Sequence, residues 1–221
     1  MNLLILAANG QIARLVEERI LSEDNFKSVN LTLFLRNADR LADLATNPRV
    51  NLIEGDLNKE ADVVKAAQGQ DLIFSAVVDH DDTGSNRPTK DIIKAAQENQ
   101  VDRIIETSLL GLYNEVPGEF GRWNNDTCFG GDPSGSAPVL ADQLLKDSGL
   151  NYTTLRLPWL NDRDEIKYTI THRNEPYVGV SGSRKSIADV VLKIVADPNF
   201  AAFDSIGMAD PDTQGLDRPV Y

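Results

Sequence analysis

Ala7-Ala8-Asn9-Gly10-Gln11-Ile12-Ala13 joins a continuous apolar run, Leu3 to Ala8, to a helically spaced set of apolar residues. A strand, a tight turn and a helix start in that order make an anion site. The first-turn N–H groups lack partners within the helix, and the helix dipole is positive there. A pyrophosphate is the matching ligand. Gly10 lets the backbone approach it, and Ala13 is small enough for close helix–strand packing. Ala7 stands where such turns usually carry a first glycine, so its methyl crowds the bend. Asn9 is expected to relieve that crowding, because Asn tolerates left-handed backbone. The candidate phosphate-side residues are therefore Ala7, Asn9, Gly10, Gln11 and Ile12. A plain βα turn with no ligand fits the same residues.

A second candidate group follows the next strand. Dinucleotide folds that prefer NAD place an acidic side chain there for the ribose 2′-OH. This chain has Leu35-Arg36-Asn37 instead. A guanidinium at Arg36 can grip a 2′-phosphate and stack on adenine, which favours NADP over NAD. A solvated surface arginine is the alternative. Arg40 is a second candidate for the same phosphate, although its helical spacing favours the surface. Trp123 either stacks on a planar substrate or pins its loop. Asp79, His80, Asp81 and Asp82 form a solvated acidic loop rather than a cation site. His172 falls on a surface strand. Cys128 has no basic neighbour in sequence to activate it. Arg184 and Lys185, beside a helix start, read as solvated.

The elements that position these residues alternate. Strands are expected at Leu3–Ala8, Leu31–Leu35, Val50–Ile53, Asp71–Val78, Arg103–Thr107, Tyr152–Leu157 and Phe203–Met208. Helices are expected around Ile12–Ile20, Leu41–Ala45, Ala61–Ala67, Ile92–Ala96, Val139–Lys146 and Ser186–Val195, the last capped by Ser186 with Asp189. This alternation predicts an α/β fold, a Rossmann-like doubly wound parallel sheet with helices on both faces. One domain spans 1–221, with a long substrate-side loop at about 114–136 and a polar tail from about 209.

Composition narrows the partners. The 221 residues carry 22 Lys+Arg and 34 Asp+Glu, a net charge of −12. Such an anion is not built for nucleic acid or an anionic membrane. No apolar run approaches the ~20 residues of a membrane span. One cysteine and two histidines leave little for a zinc site, and no metal is expected. The expectation is a cytoplasmic monomer or homodimer with a small-molecule substrate.

Several pieces in order carry a family likeness: Asn9-Gly10-Gln11-Ile12-Ala13, Leu35-Arg36, Gly55-Asp56-Leu57, Thr107-Ser108 with Gly111-Leu112-Tyr113, Ser148 to Thr153, Arg156 with Trp159-Leu160, and Ser183 to Asp189. From Leu3 to Asp197 the chain resembles the atypical short-chain dehydrogenase/reductase group, among small bacterial NAD(P)H-binding proteins of NmrA-like and flavin-reductase-like type. The resemblance implies that Asp56 and Leu57 contact adenine, though a turn-forming Asp56 fits as well. It implies that Ser75, Ala76 and Val77 run under the ribose. Thr107 and Ser108 would lie near the nicotinamide, with Pro158 and its neighbours as a wall.

The chain departs from that group where proton transfer is concerned. Short-chain dehydrogenases typically use Tyr-x-x-x-Lys, the lysine lowering the tyrosine pKa. No tyrosine here has a lysine four residues on. Tyr113 with Ser108 is the substitute catalytic pair to test, against a loop-anchoring Tyr113. Solvent protonation of a flavin or quinone is the other route. The resulting expectation is an NAD(P)H-dependent oxidoreductase acting on a flavin, quinone or carbonyl. A non-catalytic NAD(P)-binding sensor is the alternative.

Overall fold

The computed structural model describes residues 1–80 and 83–221. Eight strands form one sheet: β1 (Asn2–Leu6), β2 (Asn30–Leu35), β3 (Val50–Glu54), β4 (Leu72–Ser75), β5 (Arg103–Leu109), β6 (Asn151–Leu157), β8 (Thr169–Thr171) and β10 (Asp204–Ala209). Their order is β3-β2-β1-β4-β5-β6-β10-β8. The pairs are parallel except β10 with β8, which is antiparallel and closes one edge. β7 (Trp159–Asn161) and β9 (Ser181–Ser183) make a separate parallel pair that sequence periodicity did not reveal.

The apolar run of β1 is continuous because the strand is covered on both faces. Leu3 and Ile5 pack on one side with residues of α1 (Gln11–Ser22) and α6 (Arg184–Ala196). Leu4 and Leu6 pack on the other with residues of α2 (Glu60–Ala66), α3 (Arg87–Asn99) and α5 (Ala137–Asp147). All four are fully buried. The chain winds from β1 outward to β3, then crosses back to β4 on the other side of β1. This reversal opens a crevice at the carboxyl ends of β1 and β4, where open α/β sheets bind ligands.

Three local expectations are corrected. The stretch 114–136 is not a bare loop, since α4 (Gly118–Phe129) lies within it. Its Gly, Asn and Asp residues mask the helix, yet Phe120 and Asn124 are buried and anchor it. Gly121 is required there: a Cβ would sit 1.9 Å from the Val116 carbonyl oxygen. The cap of α6 is Ser183, whose hydroxyl oxygen accepts from the Ser186 amide at 3.0 Å, so the helix starts two residues before Ser186. Asp189 takes no part in the cap. It accepts from Arg19 Nη1 at 2.9 Å and Tyr168 Oη at 2.7 Å, tying α1 and the β8 region to α6. Finally, Leu41–Ala45 belongs to a kinked 3-10 segment, Ala38–Leu44, rather than an α-helix.

The polar tail is fixed to the body. Asp210 caps a short 3-10 turn by accepting from the Asp212 amide at 3.0 Å. Further on, the Val220 amide donates to Ser181 Oγ at 2.8 Å. Among the described residues, no helix is long and apolar enough to cross a membrane.

Candidate cofactor site

The β1–α1 turn closes with the Gly10 amide donating to the Ala7 carbonyl at 2.9 Å. Ala7 itself adopts φ +57°, a left-handed backbone that an L side chain rarely takes. This corrects the expectation for Asn9, which is not among the positive-φ residues. The missing glycine is compensated by strain at Ala7 itself. Gly10 is the N-cap of α1 and has no side chain to close the helix with, so the first-turn amides remain for a ligand. A Cβ at Gly10 would meet the Ala7 carbonyl oxygen at 3.3 Å.

In front of this turn lies a cleft of about 840 Å³. Ala7, Asn9 and Gly10 line it from the turn; Phe34, Leu35, Arg36, Asn37 and Arg40 from the end of β2 and the 3-10 segment; Gly55 to Asn58 from beyond β3; and Ala76 to Val78 from beyond β4, with Pro88 of α3. The expected residues Ala7, Asn9, Gly10, Arg36, Asp56, Leu57, Ala76 and Val77 are thus brought together. Gln11 instead lines an adjoining cavity shared with Asn9. Ile12 is partly buried against the core.

Arg40, the second candidate, lines the same cleft. It is exposed, but the 3-10 segment returns it to the cleft mouth. With the Asn9 amide oriented to satisfy its neighbours, the Asn9 side-chain oxygen accepts from Arg40 Nε and Nη2 at 3.1 and 2.5 Å. Two guanidiniums therefore stand on the β2 side of the cleft. On the opposite side, Asp56 accepts from the amide and side chain of Asn58 at 3.0 and 3.1 Å. The Asn58 amide, and further off Lys59 and Arg36, hold its carboxyl below the usual range. Asp56 thus forms the expected turn and also lines the cleft. Gly55 must lack a side chain, because a Cβ there would lie 2.3 Å from the Phe34 ring.

The residues expected near the nicotinamide are buried at the ends of β5 and β6. Thr107 donates to the Ser75 carbonyl at 3.2 Å and so links β5 to β4. Ser108 is 4% exposed, and its hydroxyl has no hydrogen-bond partner among the described residues. Pro158 is buried against Gly182, where a Cβ would meet its ring at 2.9 Å.

Tyr113, the expected partner of Ser108, has its hydroxyl engaged in a polar cluster. Its hydroxyl donates to Asp142 Oδ2 and receives Arg173 Nη1, both at 2.6 Å, while Arg173 also grips Asp142 and donates to Tyr152 Oη at 2.8 Å. Burial, and then the Asp142 charge, push its phenol well above the usual range. These contacts tie the turn after β5 to α5. Trp123 also acts as a packing residue. It lies between Phe120 and Trp159, with the Arg218 guanidinium 5.2 Å from its ring.

Among the described residues, no group of three or more His, Cys, Asp or Glu could hold a metal ion. Asp81 and Asp82 of the acidic loop lie outside the described residues. His172 sits beyond β8, its Nδ1 2.6 Å from Asp204 Oδ2. Cys128 is partly buried, and burial raises its thiol pKa. Arg184 and Lys185 pair with Asp162 and Asp164.

A comparison with curated proteins finds no match. Solved structures do match over essentially whole chains. A Rossmann-fold NAD(P)-binding family protein from Shigella flexneri is 30% identical, with a TM-score of 0.78 over 100% of this chain and 98% of that one. A short-chain dehydrogenase/reductase of wide type from Veillonella parvula, solved in complex with NADP, is 26% identical, with a TM-score of 0.85 over 100% and 99%. ChuY, described as an anaerobillin reductase from Escherichia coli, is 20% identical, with a TM-score of 0.75 over 98% and 100%, and shares the fold. A family model described as NAD(P)H-binding matches residues 7–198. With the turn, the crevice and the whole-chain match in agreement, the chain belongs to the NAD(P)H-binding family of Rossmann proteins related to short-chain dehydrogenases.

Proposed function

We propose that this protein is an NADP(H)-dependent oxidoreductase that reduces a small molecule of the flavin, quinone or carbonyl class. The observation that carries the reading is the pair Arg36 and Arg40 on the β2 side of the cleft. An NAD-selective site would place a carboxylate there for the 2′-OH, whereas two guanidiniums suit a 2′-phosphate. The residues present fit the dinucleotide. The α1 start with Gly10 would take the pyrophosphate, Asp56 and Leu57 the adenine, and Ala76 and Val77 the ribose floor.

When bound, the nicotinamide supplies a hydride. Ser108 is the side chain assigned to the reacting end. Its buried, unpartnered hydroxyl at the end of β5 supports a role as hydrogen-bond donor to the acceptor. Tyr113 holds the turn after Ser108 in place. With no Tyr-x-x-x-Lys pair, acceptors whose protonation solvent can complete fit best. On this reading the 221 residues are one domain that works in the cytoplasm as a monomer or homodimer.

The engaged Tyr113 hydroxyl also favours a second reading, a nucleotide sensor without catalysis. Two assays separate the alternatives. Fluorescence titration is expected to give tighter binding of NADPH than of NADH, and NADPH oxidation is expected with at least one acceptor in a flavin, quinone and carbonyl panel. Binding without turnover across the panel favours the sensor. Equal affinities, or a preference for NADH, overturn the arginine assignment.

A further inference from the structure

Behind the β4 wall of the cleft lie two buried carboxylates that share one hydroxyl. Glu106 on β5 is 3% exposed, Asp79 4% and Thr89 fully buried. Thr89 Oγ1 is 2.8 Å from Asp79 Oδ2 and 2.9 Å from Glu106 Oε1. The Thr89 amide also points to Asp79 Oδ2, at 3.4 Å. Asn86, the N-cap of α3, spends its side-chain amide on the Ala137 carbonyl at 2.8 Å. The Asp79 carboxylate therefore serves the start of α3, where a negative charge is favoured.

A hydroxyl has one hydrogen to donate. Given to Asp79, it leaves the Glu106 contact to be closed by a proton on Glu106. The second oxygen, Glu106 Oε2, is buried without a hydrogen-bond partner among the described residues. That is costly for an anion and far less so for a neutral acid. The groups facing Glu106 are Thr89 from α3, Asp79 from the segment after β4, and Asp142 from α5, which is paired with Arg173. Burial first, and then Asp79 and Asp142, push its carboxyl up to about 8.

Val77 and Val78 line the cleft immediately before Asp79, and Pro88 lines it immediately before Thr89. We infer that Glu106 is a positioning residue for the cofactor cleft: in its neutral form it holds, through the Thr89 hydroxyl, the Asp79 segment that builds the β4 wall. This inference rests on the cofactor reading above. Loss of the Glu106 proton sets two carboxylates against one hydroxyl directly behind that wall, so nucleotide affinity falls at alkaline pH.

NADPH titration between pH 7 and 9.5 tests it, a range in which the 2′-phosphate (second pKa about 6) is already ionised. The wild-type Kd is expected to rise about tenfold, as one coupled proton allows. Glu106→Gln keeps a donor for Thr89 Oγ1 and cannot ionise, so its Kd is expected to stay flat. A flat wild-type Kd overturns the proposal whether or not the variant folds, and so does an equal rise in both proteins. Thermal midpoints without nucleotide give a separate readout. The folded-state pKa of Glu106 is raised, so the wild type loses stability as pH climbs from about 4.5 to 8. The Tm of Glu106→Gln minus that of wild type is expected to grow over that window and then level off, and a constant difference contradicts a neutral Glu106. Absence of NADPH binding at pH 7 sinks the cofactor reading itself, an outcome distinct from tight binding that ignores pH.

Discussion

Ala7 shows how a single side chain can depart from a motif without closing the site. Its left-handed φ of +57° preserves the turn that a glycine would make freely. Ala7→Gly should therefore stabilise the fold by about 1 kcal/mol, read from urea denaturation midpoints, because glycine adopts that backbone without the Cβ penalty. A loss of stability would show that the alanine methyl contributes packing that outweighs the strain. On the proposed reading, Arg36 and Arg40, which line the cleft, carry the choice of nucleotide. Arg36→Ala is expected to weaken NADPH by about 1–3 kcal/mol and leave NADH nearly unchanged, as removal of a charge-assisted hydrogen bond would. Arg36 could be read from sequence because it directly ends a strand. For Arg40 the sequence leaves cleft and surface both open, because its place depends on a kinked 3-10 segment and on the Asn9 amide.

The alternating strands and helices were legible because burial on two faces writes continuous apolar runs, and one-sided helices write a 3.6-residue stripe. Where polar contacts hold an element, that signal fails. α4 hides in a run of Gly, Asn and Asp because it is anchored by few apolar side chains. The cap of α6 lies three residues before the expected one, since Ser183 and Ser186 both have a capping side chain and only the fold decides between them. Ser183→Ala should cost about 1 kcal/mol by the same denaturation measurement. Arg156 is the least legible element tie. It is fully buried on β6, pairs with Glu115 at 2.7 Å and donates to the Thr171, His172 and Ser205 carbonyls. Glu115 in turn accepts from the Gly111 and Tyr113 amides at 3.0 and 2.9 Å, so this pair fixes the turn that follows Ser108. Arg156→Met leaves Glu115 buried and unpaired, and a loss of about 3–5 kcal/mol is expected. A loss under about 1 kcal/mol would mean that water or another cation reaches Glu115.

At the scale of the whole molecule, a net charge of −12 makes the two cleft guanidiniums a local exception. Buried acids also set the pH response. Glu17 is pushed up to about 8 by burial; Arg14, 2.9 Å away but one-third exposed, offsets this only in part. Glu17 and Glu106 both hold protons more tightly folded than unfolded, so each removes stability as pH rises from about 4.5 to 8, by up to about 1.4 kcal/mol per pH unit. Urea midpoints should decline across that window, and Glu17→Gln should flatten part of the slope.

The sheet reversal beside β1 creates the crevice proposed to hold NADP. A crystal structure of the protein soaked with NADPH tests that proposal most directly. The predicted result is a pyrophosphate at the Asn9–Ala13 helix start and a 2′-phosphate within hydrogen-bond reach of Arg36 and Arg40. A nucleotide bound elsewhere, or one in this cleft with its 2′-phosphate turned away from both arginines, would contradict it.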